Sequence, residues 1–232
     1  MADSSPPPAA PDWTARAAQV LATEHFTLQG ARAATISEST GRASMYLMTV
    51  SSTLVALGFI GQASALGTAF DVFALVLLPT VFFLGLATMT RVTQSGVEDL
   101  LYGRGIARIR HFYLEFVPEA APYFILNAND DSTGVMRNMG VNSGRRQMFL
   151  TIGGTIGVIN SVVGGAFFGL LTNLLDPPIA VSVVVGAVAF AVSVAAHLRL
   201  EEATYGDSAG DPTVRFPSPS ALLTPPDDRR SR

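Results

Sequence analysis

The run Asn127-Ala128-Asn129-Asp130-Asp131-Ser132 packs amide, carboxylate and hydroxyl oxygens closely enough to suggest a site for a hard cation such as calcium. A calcium loop of that kind needs glycine at its sixth position and glutamate at its twelfth, where this chain has Ser132 and Asn138. The cluster is therefore expected to start a helix, with Asp130 or Asp131 capping a turn through Met136 and Met139. Gly103-Arg104-Gly105 lacks the preceding strand, third glycine and following Lys-Ser/Thr of a phosphate loop. His25, His111 and His197 are far apart in sequence and have no second histidine or carboxylate at ligand spacing, so surface or interfacial positions are expected. No Ser-His-Asp or Ser-Lys pattern suggests a hydrolase. The chain has no cysteine, which excludes thiolate chemistry and disulfides. The expectation is a non-enzymatic protein with no catalytic, cofactor-binding or metal-binding residues.

The strongest local pattern concerns packing. Gly153, Gly157, Ser161, Gly165 and Gly169 recur every four residues and put small side chains on one helix face. In lipid, where apolar contact alone gives little preference for another helix, such a face lets two backbones approach closely. It predicts packing against the first or fourth span, where Ala187, Ala191 and Ala195 offer a matching row, or else an oligomeric or pore-lining face. Asn160, beside Ser161, is a candidate polar contact inside the span, since a buried amide bridges helices for about 1 kcal/mol. Pro79 lies mid-span and is expected to bend its helix and free the Leu75 carbonyl.

These residues sit on apolar segments that only a membrane explains. Met45–Leu66, Val72–Thr90, Met148–Thr172 and Ile179–Ala196 contain no Arg, Lys, Asp or Glu. Each is about 20 residues long, enough at 1.5 Å per residue to cross a hydrocarbon core of about 30 Å. The chain of 232 residues is 49% hydrophobic and 14% charged, with a mean hydropathy of +0.38. Soluble domains carry nearer 25% charge, so the shortfall fits a chain whose middle lies in lipid. A net charge of -3 leaves no case for nucleic-acid binding.

All fifteen basic residues are arginine, and they occupy alternate connections. Arg16, Arg32 and Arg42 precede the first span. A central group runs from Arg91 to Arg146, and a last group from Arg199 to Arg232. Gly67–Asp71 and Asn173–Pro178 carry none. The positive-inside rule then puts both termini and the central segment in the cytoplasm of a bacterial plasma membrane. Gly41-Arg42-Ala43-Ser44-Met45-Tyr46-Leu47 returns as Gly144-Arg145-Arg146-Gln147-Met148-Phe149-Leu150, and each hairpin is expected to turn at an aspartate, Asp71 or Asp176. Internal duplication and shared membrane-entry chemistry both account for that likeness.

The polar parts divide around the spans. Residues 1–12 and 198–232, rich in Pro, Ser and Asp, are expected to be mostly disordered tails. Residues 13–44 read as a cytoplasmic helix leading into span 1, capped by Asp12 and broken or bent near Gly41. Hairpin 1 covers 45–90, a cytoplasmic helical segment 91–147 and hairpin 2 148–197. Within 91–147, Thr93–Val117 has an apolar side and an opposite stripe of Arg104, Arg108, His111 and Glu115, which suits packing on the N-terminal helix or contact with the inner leaflet. Asn142 or Ser143 is expected to cap the third span. Neither a cleavable signal nor a lipidation box is expected.

Glu24 through Arg42, and Ile106–Asn129 with its run Arg110-His111-Phe112-Tyr113-Leu114-Glu115, resemble an uncharacterised family of small four-span actinobacterial membrane proteins. The resemblance covers about residues 14–200 and implies a membrane fold without an attached activity. The expected fold class is an all-α integral membrane protein of two transmembrane hairpins with cytoplasmic helices. The expected role is a non-catalytic scaffold or accessory subunit acting through helix–helix association. An oligomeric pore or membrane-perturbing effector is the alternative, and a small-molecule transporter the weakest reading. Expected partners are the lipid bilayer and either a second copy or another membrane protein, with no nucleic acid.

Overall fold

Helix α1 (Trp13–Ala63) is a single run of 51 residues, and α2 (Thr68–Phe116) one of 49. The computed structural model describes residues 13–140, 149–209 and 213–219. Residues 1–12 with the expected Asp12 cap, the Asn142 and Ser143 caps, the second copy of the repeat up to Met148, and residues 210–212 and 220–232 of the C-terminal tail lie outside these. At 1.5 Å per residue, α1 and α2 are each about 75 Å long, more than twice the hydrocarbon thickness. Each joins a polar half to an apolar half without interruption, so the break expected at Gly41 is absent. Thr93–Val117 is likewise not a separate helix, because nothing between Thr90 and Thr93 stops the backbone ladder of α2.

The two helices are joined by a tight reversal and pack against each other. Ala65 and Leu66 take left-handed conformations, φ 49° and 59°, and Leu66 N–H donates to the Gly61 carbonyl at 2.9 Å. The chain therefore turns before Asp71, which lies in the first turn of α2, where a carboxylate complements the helix dipole. Asp176 does sit in a turn, at φ 54°. Between the second and third long helices come a 3-10 turn (Pro118–Tyr123) and the short α3 (Ser132–Asn138). Helix α4 (Ile152–Asn173) and helix α5 (Ile179–Ala209) follow. Helix α5 continues past residue 197, so part of the expected tail is helical.

Among the described residues, four helices are long and apolar enough to cross a membrane: α1, α2, α4 and α5. Helix α2 is central, packing on α1 along one side and on α4 along another, while α4 and α5 pack together. The core where α1, α2 and α4 meet holds Tyr46, Ala74, Leu78, Val81, Met89, Ile156 and Val163. Outward-facing positions are as apolar as the core: Phe59, Phe83, Val183 and Val192 are each more than 60% exposed. A water-soluble protein does not tolerate apolar surface on that scale, and in lipid it costs nothing.

Candidate functional site

Helices α4 and α5 meet in an antiparallel seam that positions the buried polar residues Asn160, Ser161, Ser182, His197 and Glu201. Each member of the small-residue row on α4 faces a defined partner on α5. A Cβ on Gly157 would lie 3.3 Å from His197 Cβ, one on Gly165 would lie 2.9 Å from the Gly186 carbonyl oxygen, and one on Gly169 would lie 3.3 Å from that of Ser182. The Ser161 hydroxyl donates to the Gly157 carbonyl at 2.7 Å and lies 3.0 Å from the Ser193 hydroxyl. Gly153 sits 3.6 Å, measured from its would-be Cβ, from Glu201 Oε1. The facing row on α5 thus includes Ser182, Gly186, Ser193, His197 and Glu201. Ala187, Ala191 and Ala195 are exposed on the far side of the helix.

A second layer crosses this seam. Asn160, fully buried, accepts from the Tyr46 hydroxyl at 3.1 Å, and its amide lies 3.4 Å from His197 Nε2. His197 Nδ1 lies 2.7 Å from the Ser193 carbonyl, an acceptor, so the proton is on Nδ1 and Nε2 accepts from Asn160. His197 is only 6% exposed and is not the surface histidine its sequence suggested, because Gly157 opposite leaves room for the ring. Phe82 packs edge-on against it. Asn160 thereby ties α1 to α4 and α5, with Tyr46 more than a hundred residues away in sequence. Tyr46 and Phe149, equivalent in the repeat, differ: Tyr46 is 1% exposed and bonded, Phe149 39% exposed. Pro79 is half-buried inside an uninterrupted α2, and Thr80 beside it donates to the Val76 carbonyl at 2.7 Å.

Beyond the seam, toward the polar halves of the helices, charge reappears in pairs. Arg42 and Arg91 both donate to Glu38, at 2.9 and 3.3 Å. Arg32 grips Asp99 with two hydrogen bonds, 2.7 and 3.2 Å, joining α1 to α2. Between these pairs and α4 lies a cavity of about 170 Å³ lined from all four long helices. Thr151 caps α4 by accepting from the Gly154 N–H at 2.9 Å and donates its own proton to Glu201 Oε1 at 3.1 Å. The third span therefore starts at Ile152, later than the charge pattern implied, because Thr151 meets both needs at once.

The arginine-rich end of α2 engages the chain itself. Arg104 is buried and donates to Ser132 Oγ at 2.9 Å, and Arg110 to the Asn127 carbonyl at 2.7 Å. Arg108 donates to Asp130 at 2.6 Å and also bonds the Thr213 carbonyl. Asp130 in turn accepts from the backbone N–H groups of Arg215 and Phe216, and Asp131 accepts from both the N–H and the hydroxyl of Ser218. His111 stacks on Phe216 with ring centroids 3.6 Å apart. Burial alone would raise the Asp130 carboxyl, but the bonds from Arg108, Arg215 and Phe216 outweigh it and hold the pKa below its ordinary value. Asp131 stands at the N-cap position of α3 yet makes no capping bond, since Ser218 takes both of its oxygens. The acidic cluster that resembled a calcium loop grips a segment of the tail. Nothing in the composition of Thr213–Pro219 signals this, because the partners are more than eighty residues away.

No protein-family model matches the chain, and no curated protein or solved structure is similar to it. Its chemistry must be read from its own geometry.

Proposed function

We propose that this chain is a non-catalytic integral membrane scaffold, in which two transmembrane hairpins anchor a helical stalk in the cytoplasm of a bacterial cell. The observation that carries the reading is the length of α1 and α2 against the thickness of a bilayer. Once the apolar halves are in lipid, about 35 Å of paired helix extends beyond it. That extension holds the Arg32–Asp99 fork and, at the end of α2, the arginines that grip the loop and tail. The distribution of arginine supports the inward orientation.

Two features favour this over the alternatives. The small-residue face of α4 is occupied by α5, so it is not free to line a pore between copies. His197 Nδ1 donates to the Ser193 carbonyl, so the ring does not serve as a base for the neighbouring hydroxyls. The bilayer is the first partner, and a membrane or cytoplasmic protein bound along the stalk is the second.

The absence of native cysteine allows a clean test of orientation. Single cysteines at exposed Ser37 and Glu119 should resist a membrane-impermeant maleimide on intact cells and react once the membrane is opened. A cysteine at exposed Leu175 should react from outside. Reaction of residue 119 on intact cells overturns the topology. Liposomes containing the purified chain should retain an entrapped dye, and protein-dependent release would favour the pore instead.

A further inference from the structure

The 170 Å³ cavity at the inner end of the spans contains two buried polar atoms with no protein partner. Glu201 is 2% exposed, and although Oε1 accepts from Thr151, Oε2 has no hydrogen-bond partner. Burial favours the neutral carboxyl and pushes its pKa up, while the Thr151 bond opposes that shift. Ser95, 1% exposed, also lines the cavity with an unpartnered hydroxyl. It does not make the back bond to the preceding turn that Thr93 makes to Met89 at 3.0 Å. Leaving such groups buried and unmet costs free energy in proportion to their polarity, and a carboxylate costs most.

The surrounding chemistry selects what would meet them. Thr35 and Thr93, which also line the cavity, have committed their hydroxyl protons to Ala31 and Met89 carbonyls, so their oxygens remain as acceptors. The charge of Asp99 is met by Arg32, whereas Glu201 forms no ion pair among the described residues. The lining thus offers the oxygens of Thr35 and Thr93, the hydroxyls of Ser39, Ser95 and Tyr205, and a Glu201 carboxyl without an ion pair, which a bound cation would hold in its ionised form. Hard oxygen donors without imidazole or thiolate suit alkali and alkaline-earth ions. A single free carboxylate is too little for calcium, which takes six to eight oxygens and usually several carboxylates.

We propose that this cavity binds a small monovalent cation, sodium or potassium, with Glu201 Oε2 and Ser95 Oγ as ligands. Gly153 keeps the space open. A Cβ there would stand 3.5 Å from Thr93 Oγ1, 3.6 Å from Glu201 Oε1 and 3.9 Å from Thr151 Oγ1. The bound ion joins α2 to α5 across the seam, where no direct side-chain bond among the described residues does so. This assignment does not depend on the scaffold reading.

The test is the thermal stability of the purified full chain in detergent, titrated with sodium chloride, potassium chloride or choline chloride at matched ionic strength. Sodium or potassium should raise the melting temperature saturably over choline, by about 2–4 °C well above the dissociation constant. Glu201→Gln should abolish that difference, Ser95→Ala should shift its midpoint to higher salt, and Gly153→Ala, whose methyl fits at ordinary contact distances, should diminish it. Equal melting temperatures in all three salts would mean that water alone fills the cavity, and would overturn the proposal. So would a response unchanged in Glu201→Gln. If Glu201→Gln fails to fold, an undiminished response in both Ser95→Ala and Gly153→Ala overturns it. A response to magnesium or calcium in the absence of any to sodium or potassium refutes the monovalent assignment.

Discussion

Asn160 occupies the space that a side chain at Gly85 would need: a Cβ on Gly85 would stand 2.1 Å from Asn160 Oδ1 and 2.9 Å from the Tyr46 ring. The same oxygen accepts from Tyr46, so one glycine on α2 makes room for the bond between α1 and α4. Gly85→Ala should therefore destabilise strongly, by about 2–4 kcal/mol, since two well-packed groups must move. Asn160→Ala alone should cost about 1–2 kcal/mol through the orphaned Tyr46 hydroxyl and His197 nitrogen. The double variant should cost clearly less than the two added together, because removing the amide opens the space the new methyl needs. Unfolding in mixed detergent measures all three, and simple additivity would refute the coupling.

The α4–α5 crossing makes a contrasting pair. The would-be Cβ atoms of Gly165 and Gly186 each stand 2.9 Å from the other's carbonyl oxygen, so any side chain forces the backbones apart. Gly165→Ala should cost about 2 kcal/mol or more in the same titration. Ala191→Leu, on the exposed face of α5, should change it by less than about 0.5 kcal/mol. Equal effects would mean that the seam is misplaced.

The tail clasp should loosen in acid. Asp130 has a depressed pKa, so the stabilisation it contributes is complete above its unfolded-state value and is lost as pH falls through the folded one. The loss should accordingly come below the usual carboxylate range. A spin label on a single cysteine at Val214 should be immobilised at pH 7 and become mobile in that acid window. In Asp130→Asn it should be mobile at every pH. A label that stays immobile in the variant would show that Asp131 and His111 hold the segment without it.

Ala65 stores strain in the first reversal. A left-handed conformation costs a residue with a Cβ roughly 1–2 kcal/mol, and glycine adopts it freely. After the extra chain entropy of glycine, Ala65→Gly should stabilise the protein by about 0.5–1 kcal/mol. A loss of stability would place the turn elsewhere.

Much of this architecture can be read locally. The four apolar runs appear as helices long enough to span a membrane because freedom from charge over about twenty residues is a property of the run itself. Where the reading goes astray, two separated segments decide the outcome. The turn falls at Ala65 and Leu66 rather than at Asp71, since backbone carbonyls at Gly61 and Ser64 close it. Helix α4 starts at Ile152 because Thr151 is held by Glu201, fifty residues on.

Sequence alone settled that this chain is helical, has four segments suited to lipid and keeps arginine off alternate connections, because hydropathy and charge act residue by residue on the solvent each segment selects. It also displayed the small-residue row on α4. The fold decided what that row faces. Ser182, Gly186, Ser193, His197 and Glu201 line up with it only through the register between two antiparallel helices. A shift of one turn would exchange every partner. Burial of His197, the open cavity beside Glu201 and the grip of Asp130 and Asp131 on the tail all follow from such pairings, which no stretch of sequence carries by itself.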